Sequence, residues 1–163
     1  MRLFRSVAIG AVLACLAAGV AIVLIQALWI TYGVFVRYAL GSPDGTVTEA
    51  TALLLVPLAF LGLPYALKED AFPRVTFVTD NLPGPIAVLV GKLNLTIMIL
   101  VGLFFATVTI NATVSSFQSG ASSSVLAWPE YLFWAPVAVA SIAFVIYGVY
   151  QLFAGSSAPE SGE

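Results

Sequence analysis

Four long apolar blocks separated by short polar gaps constrain this sequence more than any other feature. The blocks cover approximately residues 7–36, 48–67, 86–114 and 130–153. A bilayer core of about 30 Å is crossed by about 20 apolar helical residues, so each block is long enough to span a membrane. The blocks lack the alternating pattern of a membrane β-strand. The sequence therefore predicts an all-α integral membrane protein, with one domain of four transmembrane helices over residues 1–153.

The composition supports this prediction and excludes several classes of function. Of the 163 residues, 61% are hydrophobic and only 9% are charged, which is unlike a water-soluble domain. The chain contains no histidine, which excludes a haem held by two histidines and a zinc site built on histidine. Cys15 is the only cysteine, so no internal disulfide can form. We expect no cofactor, no metal site and, without a basic cluster, no nucleic-acid partner.

The gap between the first two blocks predicts a chain reversal followed by a helix start. Residues 41–45 read Gly-Ser-Pro-Asp-Gly, a run typical of turns. Thr46 or Thr48 then suits the cap of the second helix, and Glu49 falls in its expected first turn, where the helix dipole favours a carboxylate. This capping role is preferred over a role for Glu49 in coupling to an ion.

The other two gaps and the tail predict surface structure. In the second gap, Val75, Val78 and Leu82 recur at i, i+3 and i+7, which fits a short interfacial helix between spans two and three; an irregular loop is the alternative. The third gap, residues 115–130, is serine-rich and lacks lysine and arginine, which predicts a flexible connector. Residues 154–163 form an acidic tail that we expect to be disordered.

The first block carries small residues on one face. Ala14, Ala18 and Ala21 lie at i, i+4 and i+7, a spacing that permits close contact with another helix. Alanine is also common in membrane spans without such a role, so both interpretations stay open.

The few basic residues predict how the chain is oriented in the membrane. If the N-terminus is cytoplasmic, Arg37 lies outside and the other basic residues lie inside, as the positive-inside bias requires. Both termini are therefore expected in the cytoplasm. The residues placed inside are Arg2, Arg5, Lys68, Arg74 and Lys92.

The sequence shows no constellation of residues for catalysis. Glu69 and Asp70 are adjacent but follow Lys68 in a polar gap, which indicates a solvated charge cluster. Four helices with a nearly uncharged interior favour a protein that assists another membrane subunit, not an enzyme. One alternative is a stand-alone oligomeric transporter that uses Glu49 as its coupling carboxylate. A tetraspan assembly factor or membrane enzyme is a third, less favoured, hypothesis.

Several local motifs occur in the order of a known family. They are Phe35-Val36-Arg37-Tyr38 before a Gly-Ser-Pro turn, Thr48-Glu49, Ala66-Leu67-Lys68-Glu69, Leu82-Pro83-Gly84-Pro85 and Trp128-Pro129-Glu130-Tyr131. With these motifs the chain resembles, from about residue 27 to 153, the DctQ-like small permease of tripartite ATP-independent periplasmic transporters. Three positions depart from the family pattern. Phe72 stands where a histidine is usual, Thr76 where an aspartate is usual and Val47 where a tryptophan is common.

The resemblance implies a division of labour among three components in the bacterial inner membrane and periplasm. A periplasmic binding protein captures an organic acid or similar solute, a large permease subunit carries it with sodium, and the small subunit acts as a scaffold for the large one. The residues that match the family pattern, Arg37, Glu49, Lys68 and Arg74, are the candidate interface or structural residues. Arg37 is expected at the outer surface, where it pairs with Glu49, contacts the binding protein, or reaches lipid phosphates.

Overall fold

A computed structural model describes residues 2–41, 45–72 and 84–154, and these form four helices. They are α1 (Arg2–Ala39), α2 (Gly45–Lys68), α3 (Gly84–Ser119) and α4 (Tyr131–Ala154). Each contains an apolar stretch long enough to cross a membrane, and no strand occurs within the described ranges. The predicted all-α fold with four membrane-spanning helices is confirmed. The protein is a multi-pass membrane protein.

Three of the helices are longer than the apolar blocks that predicted them, and two of them considerably so. α1 has 38 residues and α3 has 36. At about 1.5 Å per residue these helices measure about 57 and 54 Å, well above the ~30 Å of a hydrocarbon core. Each must therefore tilt or extend past the hydrocarbon into the aqueous phase. The polar residues at the end of α3, Ser115, Ser116 and Ser119, continue the helix and do not end it.

α4 is the central helix of the bundle. It packs against each of the other three helices, whereas α3 packs extensively against α4 alone and α1 packs against α2 as well as α4. The membrane-spanning window of α4 is accordingly the most buried of the four.

Two helices contribute a buried face with a repeat of 3.5 residues, the spacing of left-handed helix pairs. The buried or half-buried face of α1 consists of Ala8, Val12, Cys15, Gly19, Ile22, Gln26, Trp29, Gly33 and Val36. That of α3 consists of Leu95, Ile99, Gly102, Ala106, Thr109, Thr113 and Ser116. We call these two faces the closed seams, because neighbouring helices cover them.

Glycines in the closed seams allow two close approaches between helices. A Cβ atom on Gly33 would lie 2.7 Å from Cγ1 of Val47 on α2, and one on Gly102 would lie 2.7 Å from Cδ1 of Phe144 on α4. Both distances are too short for any real Cβ atom, so the packing at these points requires glycine.

The buried side chains form two clusters along the bundle. One joins Ala8 and Val12 of α1, Leu67 of α2, and Phe144 and Tyr147 of α4. The other joins Cys15, Leu61, Ala140 and Ala143. Cys15 is therefore a free cysteine that packs as a small apolar residue.

Three predictions of local structure fall on residues outside the described ranges. These are the centre of the turn at residues 42–44, the interfacial helix at Val75, Val78 and Leu82, and the disordered state of the tail beyond Ala154.

Candidate functional site

The carboxylate of Glu49 binds the backbone of the loop that joins α3 and α4. Its Oε1 accepts a hydrogen bond from the N–H of Val125 at 3.1 Å, and its Oε2 accepts from the N–H groups of Val125 at 3.0 Å and Leu126 at 2.6 Å. Hydrogen bonds to an ionised acceptor are stronger than neutral ones. The contact ties α2 to a segment 76 or 77 residues further along the chain. We call this arrangement the Glu49 clamp.

The clamp corrects the predicted capping role of Glu49. α2 begins at Gly45, before either threonine proposed as its cap, and its first turn contains no acidic residue. Glu49 lies one turn inside the helix, so its carboxylate is too far along to serve the free N–H groups of the first turn. The carboxylate instead accepts hydrogen bonds from N–H groups of the α3–α4 loop.

The α3–α4 loop is compact, which corrects the predicted flexible connector. The N–H of Ser123 donates to the carbonyl of Trp128 at 2.9 Å, and Ser123 Oγ accepts from the N–H of Trp128 at 3.1 Å. The N–H of Glu130 donates to the carbonyl of Ala121 at 3.0 Å. Ala127 adopts a positive φ of 52° within this turn. These bonds and the clamp together engage five backbone N–H groups of the loop, an order that its serine-rich composition does not reveal.

Aromatic side chains pack at both ends of the loop. The rings of Phe117 on α3 and Tyr131 on α4 lie 5.4 Å apart in an edge arrangement, and Trp128 stacks on Phe133 with ring centroids 6.4 Å apart. These contacts hold the end of α3 beside the start of α4.

Arg37 does not pair with Glu49. It is exposed in the last turn of α1, and among residues 2–41, 45–72 and 84–154 the only ion pair joins Lys68 to Glu69. Arg37 therefore presents its charge at the surface of the described structure.

Lys68 and Glu69 form that exposed ion pair at the far end of α2. The Nζ of Lys68 donates to Oε1 of Glu69 and lies 5.2 Å from the centroid of the Tyr65 ring. The hydrogen bond from Lys68, with its positive charge, lowers the pKa of Glu69 below its ordinary value. Since Glu69 is exposed and Lys68 only half-buried, water screens the pair and it contributes little to stability.

Asp70 lies just after the last residue of α2, in the turn that ends the helix. Its φ is +57°, and around it the N–H of Ala71 donates to the carbonyl of Ala66 at 2.9 Å and the N–H of Asp70 to that of Leu67 at 3.4 Å. This pair of bonds around a left-handed residue is the Schellman motif. It agrees with the interpretation of Glu69 and Asp70 as a solvated helix end.

Two of the three residues that depart from the family pattern, Phe72 and Val47, are packed against other helices in the structure. Phe72 is half-buried and makes an edge contact with Phe144, with ring centroids 6.0 Å apart, so this position belongs to an apolar cluster. Val47 fills the space that Gly33 leaves open between α1 and α2. Arg74 and Thr76 lie outside the described residues.

Among the described helices, no carboxylate, lysine or arginine side chain is buried. Gln26 Nε2 donates to the carbonyl of Thr51 at 3.1 Å and so links α1 to α2. The hydroxyls of Thr109 and Ser141 donate to carbonyls of their own helices. Such bonds satisfy polar groups in an apolar medium and stabilise helix contacts. In the described part of the chain the arrangement is suited to structural support, with Glu49 as its most specific polar contact.

A protein-family comparison agrees with the motifs. The model of the family described as "Tripartite ATP-independent periplasmic transporters, DctQ component" matches residues 26–157, well over half of the chain. A comparison with curated proteins gives no match.

Proposed function

Because the chain belongs to the DctQ family of tripartite ATP-independent periplasmic transporters, we propose that it is a scaffold for the large permease subunit of such a transporter. In this proposal the large subunit carries an organic acid or similar solute together with sodium. A periplasmic binding protein delivers the solute.

The observation that carries the scaffold role is the chemistry of the membrane interior. Ion-coupled transport needs ionisable side chains or broken helices around a central site. The buried polar side chains of the described helices are a glutamine, a threonine and serines. The carboxylate of Glu49, the candidate for ion coupling that the sequence offered, is engaged by the N–H groups of Val125 and Leu126. A subunit with this interior supports transport by another subunit.

We further propose that the protein lies in the bacterial inner membrane with both termini in the cytoplasm. Ala8 and Leu67 share a buried cluster, and Leu95 packs against it. Arg5, Lys68 and Lys92 lie within one turn of these three residues, so the three cations come to the same end of the bundle, and Arg37 lies at the other end of α1. This distribution supports the orientation through the positive-inside bias.

Fusion reporters test the orientation. A fluorescent protein placed after Glu163 is expected to fluoresce, because it folds in the cytoplasm, and alkaline phosphatase at the same point is expected to be inactive. An active phosphatase would place the C-terminus in the periplasm and contradict the proposal.

Co-purification tests the scaffold role. The tagged chain, co-expressed with the large permease subunit, is expected to elute with it as one complex in size-exclusion chromatography. If the wild-type chain elutes without the large subunit, the scaffold role is wrong.

A further inference from the structure

α3 carries polar side chains on the face turned away from α4. This face lies opposite the closed seam of α3, because Asn111 is two residues, or about 200° of rotation, from both Thr109 and Thr113 of that seam. α3 packs extensively against α4 alone, so this face is left open by the described helices. Its exposed polar residues recur at i, i+4, i+8 and i+11, and we call them the polar strip: Thr107, Asn111, Ser115 and Gln118.

Contacts with α4 give the depth of Asn111 in the membrane. The ring of Phe117 contacts that of Tyr131, the first residue of α4, and Gly102 lies against Phe144 further in. Asn111 is six residues, about 9 Å, along α3 from Phe117 towards Gly102. With 24 residues, α4 measures about 36 Å, only slightly more than a hydrocarbon core of about 30 Å. Asn111 therefore lies at the depth of the hydrocarbon.

The side-chain amide of Asn111 makes no hydrogen bond within the described residues. A polar group in an apolar medium costs free energy until a partner bonds to it. Gln26 shows how the bundle satisfies such a group, because its amide donates to the carbonyl of Thr51, six residues inside α2, and links two helices. The hydroxyl of Thr107 donates to the carbonyl of Phe104 within α3 at 2.8 Å. Asn111 has neither kind of partner and is exposed, so a neighbouring molecule can reach it.

The hydrogen-bonding requirement of Asn111 distinguishes between the possible neighbours. Lipid acyl chains carry no donor or acceptor at this depth. Within a membrane, side-chain amides bond to polar groups of other helices. Of the two partner components in the proposed function, only the large permease subunit lies in the membrane, because the binding protein is periplasmic. The polar strip therefore fits a helix of the large subunit that carries a polar group at the level of Asn111.

We propose that the polar strip of α3 receives a transmembrane helix of the large permease subunit, and that the amide of Asn111 forms a hydrogen bond with a polar group of that helix. This inference rests on the proposed function, because it assigns the face and the residue through which the scaffold holds its partner.

Substitution of Asn111 tests the hydrogen bond. Asn111→Leu removes the amide at similar size, so the dissociation constant of the complex with the large subunit, measured in mixed micelles, is expected to rise about threefold, the scale of a hydrogen bond between membrane helices. Asn111→Gln keeps an amide and is expected to restore most of the affinity.

Asn94→Leu is the matched control for this substitution. It makes the same change on the same helix, but Asn94 lies off the polar strip, so the dissociation constant is expected to stay at the wild-type value. Both leucine variants, purified alone, are expected to keep the helicity and elution volume of the wild type. An unchanged or lower dissociation constant for Asn111→Leu would overturn the inference while leaving the proposed function intact.

Photo-crosslinking identifies the neighbour with Asn111 intact. Phe104 is exposed on the face of the polar strip, seven residues from Asn111, and benzoyl-phenylalanine in its place is expected to form an adduct with the large permease subunit. The matched control is the same replacement of Phe105, whose ring lies 5.3 Å from that of Phe60 on α2, and it is expected to form at least fivefold less of this adduct. Adducts at position 104 only with lipid, or only with a second copy of this chain, would overturn the inference. If the wild-type chain shows no association with the large subunit at all, both the proposed function and the inference fail.

Discussion

At the scale of single residues, Glu49 joins parts of the chain that the sequence keeps far apart. The Thr48-Glu49 pair was identified in the sequence. Its position predicted that the Glu49 carboxylate stabilises the start of the second helix. The actual partners are the backbone N–H groups of Val125 and Leu126 in the α3–α4 loop. Backbone groups occur at almost every residue, so the sequence does not mark these two as partners. A pattern read along the chain cannot show a contact between a side chain and a distant backbone.

The clamp predicts a defined loss of stability when the carboxylate is removed. Glu49→Ala leaves two loop N–H groups without their acceptor, and we expect a loss of about 1–2 kcal/mol, more than the roughly 0.5–1 kcal/mol of a helix-dipole contact. Amide hydrogen exchange at Val125 and Leu126 is expected to accelerate in this variant. Glu130→Gln is the control and is expected to leave both amides protected. Unchanged exchange in Glu49→Ala would contradict the clamp.

The Lys68–Glu69 pair predicts a pH dependence of known sign. Because the pKa of Glu69 is lowered in the folded state, its small contribution is present above the pKa of the unfolded chain and is lost as pH falls through the folded value. Lys68→Gln is expected to return the pKa of Glu69 towards its ordinary value. Carbon-13 NMR titration of the Glu69 carboxyl measures the shift. The same titration curve in wild type and variant would show that the pair does not form.

At the scale of elements, hydropathy located all four helices, since a membrane span must be long, apolar and internally hydrogen-bonded. Hydropathy predicted the ends of the helices less accurately. The serines at the end of α3 and the arginines at the start of α1 continue the helices past the apolar blocks. The α3–α4 loop was misjudged because its order comes from hydrogen bonds at Ser123 and from the clamp. Composition reports how polar a segment is, but not whether its polar groups are paired.

A pair of glycine substitutions in α3 tests the close packing of α3 on α4. Gly102→Ala places a Cβ 2.7 Å from Phe144 Cδ1, so we expect it to destabilise the protein by about 1–3 kcal/mol through overpacking. Gly91→Ala meets no atom within 4 Å and is expected to be neutral or to stabilise by up to about 1 kcal/mol through helix propensity. Unfolding titrations in mixed micelles measure both. Equal effects of the two substitutions would contradict the close approach at Gly102.

The end of α2 offers a second test at this scale. Asp70→Gly suits the left-handed conformation at φ +57° and is expected to preserve the Schellman motif. Asp70→Val places a β-branched residue there and is expected to cost about 1–2 kcal/mol. The difference in unfolding free energy between the two variants is the readout. A valine variant as stable as the glycine variant would show that the helix ends in another way.

At the scale of the whole molecule, the fold class followed from the sequence, and the family followed from short motifs in order. The arrangement of the helices did not. Ala14, Ala18 and Ala21 were recognised as a small-residue face, but only the bundle shows that neighbouring α1 residues pack inward and leave these alanines exposed, with Ala14 and Ala18 beside α4. Which helices pack together depends on contacts between them. A membrane-spanning segment is apolar on all sides, so its sequence does not show which face contacts which neighbouring helix.

The central claim is that this chain supports transport and does not perform it. The most direct measurement is solute uptake, with a sodium gradient and the loaded periplasmic binding protein, into proteoliposomes that hold this chain alone, the large permease subunit alone, or both. Uptake is expected to require both subunits, and vesicles that hold this chain alone are expected to show none. Gradient-driven uptake by this chain alone, abolished by Glu49→Gln, would contradict it.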